Sequence, residues 1–114
     1  MALTMSEKEI GGATILQLAG RITLGEGSSA LRDALRELVG KNHKKILLNL
    51  GEVSYIDSSG IGELVSGFTT VTNAGGQVKL LNLTKRVKDL LQITKLYTVF
   101  EVFDDEAAAV RSFS

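Results

Sequence analysis

Cysteine, proline and tryptophan are absent from this 114-residue chain, histidine occurs once, and aromatic residues make up only 5% of it. The lack of cysteine excludes disulfides, thiolate metal sites and cysteine nucleophiles. With His43 the only imidazole, a multi-histidine metal centre is impossible and a Ser-His-Asp triad would have to be built on that residue. Charge of either sign is not in excess: 13 Lys and Arg balance 13 Asp and Glu, for a formal net charge of zero. No global field therefore draws the chain to nucleic acid or to an anionic membrane. No apolar run approaches the roughly 20 residues needed to span a bilayer. Residues 1–10 lack the basic start and apolar run of a secretory leader. These absences lead us to expect a cytoplasmic protein with no metal and no cofactor, making no direct contact with nucleic acid or membrane.

The remaining composition, 44% hydrophobic and 23% charged, is that of an ordinary globular chain. Its length leaves room for one domain, over residues 1–114. Leu3–Ile10 and residues 14–19 read as two strands joined by Gly11-Gly12, a pair suited to a tight hairpin. The first strand is polar at Ser6, Glu7, Lys8 and Glu9 and is expected at a sheet edge. Leu31, Ala34, Leu35, Leu38 and Val39 recur at helical spacing, with Arg32, Asp33, Arg36 and Glu37 opposite. Ser28 or Ser29 is expected to cap that helix and Gly40 to end it. Residues 46–50 form a nearly continuous apolar run, the pattern of a strand covered on both faces. A helix over 58–74 is closed by Gly75-Gly76, and 78–83 is a further buried strand. Thr84 caps a helix with Val87, Leu90 and Leu91 inward, and 98–103 is a last strand. Asp104, Asp105 and Glu106 place negative charge at the start of a terminal helix. The strand–helix alternation after Lys44 implies parallel strands with right-handed crossovers. The expected fold is α/β: a mixed sheet, antiparallel hairpin first and then parallel strands, packed with about four α-helices.

The stretch from Tyr55 to Gly62, Tyr-Ile-Asp-Ser-Ser-Gly-Ile-Gly, carries the most information about function. A carboxylate and two hydroxyls stand where a buried strand gives way to a helix. The helix N-terminus has free N–H donors and a partial positive charge, so it tolerates an anion such as a phosphate on Ser58 or Ser59. Asp and Ser are also preferred N-caps, and capping alone accounts for the residue types. Both roles fit if one residue caps and another is presented outward. The residues themselves do not say which serine that is. In the helix that follows, Ile61, Leu64, Val65, Phe68 and Val71 make the inner stripe. The other face carries Gly62, Glu63, Ser66, Gly67, Thr69, Thr70 and Asn73, with Glu63 its single charge. Small residues of poor helix propensity cost several tenths of a kcal/mol each, and Gly about 1, while interface cores are depleted of charge. That face is either a docking surface or merely polar.

The segment from Leu48-Asn49-Leu50 through Asp57-Ser58-Ser59-Gly60-Ile61-Gly62 resembles the signature of STAS-domain anti-sigma-factor antagonists. Gly75-Gly76, residues 80–83 and 87–91, and Phe100 with Val102 extend the likeness at matching spacing over nearly the whole chain. The resemblance implies a bacterial regulator in partner switching and the stress response. In that family the serine directly after the Asp is the phosphoacceptor, which places phosphorylation on Ser58, with Asp57, Ser59 and Gly60 as its neighbours. It implies that an anti-sigma-factor serine kinase, carrying its own ATP, modifies Ser58. The unmodified form binds that kinase and releases a sigma factor, and a metal-dependent PP2C-type phosphatase restores it. The partner-binding residues expected on this basis are Ile61, Gly62, Glu63, Ser66, Thr69, Thr70 and Asn73, joined by Thr23 and Glu26. Those last two stand in a loop, residues 20–26, where many members of the family have an Asp and this chain has none. A second departure is Lys95, where relatives commonly have the Gly that suits a left-handed helix stop.

An alternative within the same family is a scaffold or regulatory subunit, stressosome-like or transporter-associated, that does not use the serine switch. An enzyme is not expected. A hydrolase built on Ser58 or Ser59 has only His43 as a base, and neither serine lies in a Gly-x-Ser-x-Gly elbow. The basic group Lys85, Arg86, Lys88 and Lys95 lacks interleaved aromatics and reads as a solvated face. His43 is expected in an exposed turn, and Glu52 on loop surface.

Overall fold

Gly11 and Gly12 both take positive φ, 57° and 83°, a backbone that glycine adopts without steric cost. They close the two-residue turn between β1 (Leu3–Ile10) and β2 (Ala13–Ile22), which pair antiparallel from Ile10–Ala13 to Leu3–Gly20. The rest of the chain alternates: α1 (Glu26–Gly40), β3 (Lys45–Ile56), α2 (Ser58–Asn73), β4 (Gln77–Leu81), α3 (Lys85–Ile93), a single 3-10 turn (Leu96–Thr98), β5 (Val102–Phe103) and α4 (Glu106–Arg111). The sheet order is β1-β2-β3-β4-β5, parallel from β2 onward. The mixed α/β fold expected from the pattern is the fold observed, with β1 at the edge. The computed structural model describes residues 3–113. Met1 and Ala2, which head the segment read above for a leader, and Ser114 lie outside the described residues.

The core lies on both faces of the sheet. Leu16, Leu18 and Ile22 of β2, Ile46, Leu48 and Leu50 of β3 and Leu80 of β4 meet Leu31, Leu35 and Leu38 of α1, Ile61, Leu64 and Val71 of α2, and Val87 and Leu91 of α3. On the other face Ala13, Ile15, Leu47 and Leu81 pack against Ala109 and Phe113 at the C-terminal end. Lys79 is 4% exposed on that second face. Its ammonium donates to the Ser112 carbonyl and hydroxyl at 3.0 and 2.9 Å, pairs with Glu101 at 3.0 Å and lies 4.8 Å from the Phe113 ring centre. Those partners offset the cost of burying its charge and pin the C-terminal segment to the sheet.

Several expectations are corrected. Strand β3 does not stop at residue 50 but runs to Ile56, so Glu52 is exposed on a strand rather than in a loop. The pairing advances two residues on β2 against three on β3 between Gln17–Asn49 and Ala19–Glu52, and slips again between Gly20–Val53 and Arg21–Tyr55. Each extra residue reverses which parity faces inward, so the buried positions fall at 50, 53 and 56 and the period-2 signature is lost. Neither Ser28 nor Ser29 caps α1. Gly25, at φ 96°, is the N-cap, and both serines lie inside the helix. The strand expected over 98–103 is cut to Val102–Phe103, because Phe100 turns into the core against Phe68, ring centres 5.5 Å apart at 79°. Gly67 is not on the outer face of α2: it is buried and packs against Leu35. His43 is half-buried, its Nδ1 2.7 Å from the Thr14 hydroxyl. Thr84 caps its helix as expected, accepting from the Val87 amide, and Asp105, expected only as negative charge at the start of α4, is that helix's N-cap and accepts from the Ala108 amide. Lys95 holds the left-handed conformation at φ 62°, the helix stop that glycine suits.

Two glycines of α2 make opposite demands. A Cβ on Gly60 would strike the Ile22 carbonyl oxygen and lie 2.6 Å from Ile56 Cγ1, whereas one on Gly62 meets nothing within 4 Å. Gly60→Ala is expected to lower stability by about 1–3 kcal/mol. Gly62→Ala is expected to raise it by up to about 1 kcal/mol through helix propensity. Urea unfolding of both variants checks this, and equal effects would contradict the close approach of α2 to β2.

Candidate functional site

The parallel strands β2 and β3 deliver α1 and α2 from the same rim of the sheet, the end where open α/β sheets bind their ligands. At that rim one carboxylate joins two segments. Asp57 is the N-cap of α2; its Oδ1 accepts from the Gly60 amide at 2.8 Å. Its Oδ2 accepts from the Leu24 amide in the β2–α1 loop at 3.1 Å. The Gly60 amide, above all, holds the Asp57 carboxyl below the usual carboxylate range; desolvation opposes this, and the Leu24 and Ser59 amides add to it. Asp57 is therefore an anion at neutral pH, and the loop carrying Thr23 and Glu26 is tethered to the start of α2.

The two serines have different surroundings. Ser59 is half-buried, and its hydroxyl lies 3.1 Å from that of Ser28, which is 2% exposed and donates to the Thr23 carbonyl at 2.8 Å. Ser59 thus ties α2 to α1. Ser58, the first residue of α2, is exposed. A phosphate there would stand at a helix N-terminus, where the unpaired amides and the dipole favour negative charge, with the Asp57 carboxylate opposing it as a neighbouring like charge.

From Ser58 the outer face of α2 continues through Gly62, Ser66, Thr69 and Asn73, all exposed, with Thr70 half-buried. Glu63, the face's one charge, is half-buried and accepts from Arg32 Nη2 at 2.6 Å and Nε at 3.2 Å. The surface is therefore close to neutral along its length. Ile61 does not belong to it: at 5% exposure it is part of the core, which corrects its expected place among partner-binding residues. In the adjoining loop Thr23 is half-buried and Glu26 exposed. Two residues of the site were missed from sequence. Leu24 is 81% exposed beside Asp57; an isolated leucine in a loop gives no periodic signal. Arg32 was read as solvated helix surface, and its pairing with Glu63 spans 31 positions.

The chain belongs to the STAS domain family, whose model matches residues 4–109. It is 33% identical to the anti-sigma-B factor antagonist of Bacillus subtilis over 87 residues, 76% of this chain and 78% of that protein. Its fold resembles the crystal structure of protein tm1081 from Thermotoga maritima, with a TM-score of 0.88 at 23% identity over 96% of this chain and 93% of that one. It also resembles the Bacillus cell fate determinant SpoIIAA in its phosphorylated form, with a TM-score of 0.75 at 17% identity over 97% and 100% of the two chains. The unphosphorylated form of SpoIIAA matches at a TM-score of 0.70 and 17% identity, over 96% of each chain. No helix among the described residues is long and apolar enough to cross a membrane.

The Asp57 contacts carry a pH signature. A carboxyl held below its ordinary value stabilises the fold above its unfolded-state pKa, and that stability is lost as pH falls through the folded value. Asp57→Ala, which removes the cap, should be less stable than wild type near neutrality. The gap should close on acidification below the ordinary carboxylate range. Thermal midpoints measured from pH 7 down to pH 2 check this, and a constant gap would mean that the charged cap contributes nothing.

Proposed function

We propose that this protein is an anti-sigma-factor antagonist that acts by exchanging partners. The unmodified form binds an anti-sigma factor with serine kinase activity, and the sigma factor held by that kinase is released. The kinase transfers the terminal phosphoryl group of its ATP to the Ser58 hydroxyl, leaving ADP, and a PP2C-type phosphatase hydrolyses the phosphoserine back to serine. The observation that carries this reading is the exposure of Ser58 at the head of a helix face whose one charge, Glu63, is paired with Arg32, while Ser59 is engaged with Ser28. The names of curated relatives as anti-sigma-factor antagonists and the existence of SpoIIAA in a phosphorylated form support it. The regulatory part is binding, with catalysis supplied by the partner.

The mechanism needs no change of fold. Phosphorylation adds about −1.5 to −2 charge at the edge of a surface built of Gly62, Ser66, Thr69 and Asn73. Burying that charge under a partner without a matching cation costs more than a hydrogen bond returns. A loss of about 2.7 kcal/mol already weakens binding 100-fold. The Leu24–Asp57 contact holds the β2–α1 loop at the start of α2, so a partner footprint that includes Ser58, Thr23, Leu24 and Glu26 spans both segments. Leu24, exposed in that loop, adds apolar surface that a partner would remove from water.

A kinase isolated by its retention on immobilised Ser58→Ala protein, then incubated with wild type and ATP, tests the proposal. One phosphate on Ser58 by mass spectrometry and an affinity at least about 100-fold weaker after modification are expected. Ser58→Ala should keep its fold and bind constitutively, and Gly62→Arg should abolish binding without loss of thermal stability. Phosphate found only on another residue, or full binding by Gly62→Arg, would overturn the assignment.

A further inference from the structure

At the rim opposite Ser58, three side chains far apart in sequence converge. Glu7 and Glu9 lie two residues apart on β1, so both point to one face of the sheet, and Glu9 sits directly opposite Thr14 of β2. His43 enters from the turn between α1 and β3. One donor atom from each of Glu7, Glu9 and His43 lies within 4.8 Å of the others. His43 Nδ1 is 3.8 Å from Glu9 Oε2 and 2.7 Å from the hydroxyl of Thr14, a side chain 2% exposed. The turn that carries the ring is itself held: Asn42 takes a left-handed φ of 66°, and the amides of Asn42 and His43 donate to the Val39 and Leu38 carbonyls at 2.9 Å each.

Two carboxylates on one strand face repel each other unless a cation lies between them. Lys8 points to the other face and pairs with Glu106. An imidazole completes the set, and this separates it from the all-oxygen clusters that suit calcium or magnesium, because imidazole nitrogen favours zinc and its neighbours in the transition series. We propose that Glu7, Glu9 and His43 form a binding site for one divalent transition-metal ion of the zinc class. Three protein ligands leave a fourth position for water. Zinc bonds of about 2 Å draw tetrahedral donors to within about 3.5 Å of one another. Rotation of the two exposed glutamates closes that difference without moving backbone. The bound ion fastens edge strand β1 to the α1–β3 turn, and its position across the sheet from Ser58 makes it independent of the partner switch. The expectation of no metal followed from the absence of cysteine and of a second histidine, an argument that does not cover two carboxylates joined by a single imidazole.

Titration of the untagged 114-residue chain with zinc chloride tests the site. His43 is the sole histidine, so its ring nitrogens report binding directly by NMR in the unaltered protein. Saturable uptake of one zinc per chain, displacement of the His43 ring signals and a rise in thermal midpoint are expected, with no such response to magnesium. His43→Ala and the double variant Glu7→Gln/Glu9→Gln should each lose about 10-fold or more in zinc affinity, since even outer-shell changes cost that much. Absence of saturable uptake, uptake that leaves the His43 signals unmoved, equal response to magnesium, or folded variants that bind zinc as wild type does would overturn the proposal. If a variant fails to fold, the ring signals of the wild-type protein decide.

Discussion

One carboxylate, shared between two backbone amides, organises the functional end of this molecule. Asp57 accepts from Gly60 on one oxygen and from Leu24 on the other. The first contact starts α2 at Ser58; the second draws the β2–α1 loop onto the same spot. Gly60 allows the approach, because any side chain there would meet the Ile22 carbonyl. The result is a serine hydroxyl presented at a helix N-terminus and bordered by a fixed loop. The free amides and helix dipole favour a phosphate at that position, and Asp57 resists it. The proposed reversible mark needs a site that holds either state without rearrangement, and these opposed contributions fit that need.

The rest of the fold supplies rigidity behind that point. Three helices cover one sheet face and α4 the other, so β3, which Asp57 directly follows, is the central strand and is buried at half of its twelve positions. The Ser28–Ser59 contact and the Arg32–Glu63 pair tie α1 to α2 beside the site. In consequence the α2 surface presents small uncharged side chains on a stiff support. In the proposed switch, affinity for a partner rests on shape and on the absence of charge, and a single added phosphate is correspondingly disruptive.

Much of this was legible in the sequence. Alternating strand and helix patterns predict the element order and the mixed sheet, Gly11-Gly12 and Thr84 mark a turn and a cap through their local chemistry, and the acidic run 104–106 marks the start of α4. What was not legible depends on pairing between distant segments. The bulges in β3 become visible only against β2, so the strand's second half read as loop. Ser28 looked like a cap, yet its hydroxyl faces Ser59 across 31 positions. Ile61 falls on the inner stripe that its spacing predicts, whereas Gly67, expected on the outer face, turns inward because it packs against Leu35 of α1. Physics of the residues left Ser58 and Ser59 open, and the structure places them in unlike settings, Ser58 exposed and Ser59 half-buried against Ser28.

The account treats modification as a change of charge on an unchanged shape. Its most direct test is an amide NMR map of the chain carrying phosphoserine at position 58, compared with the unmodified chain. The account predicts shifts confined to the β2–α1 loop and the first turns of α2, with β1, β4 and α4 unmoved. Shifts spread through the sheet and the C-terminal helix would mean that the phosphate acts by remodelling the domain, and would contradict it.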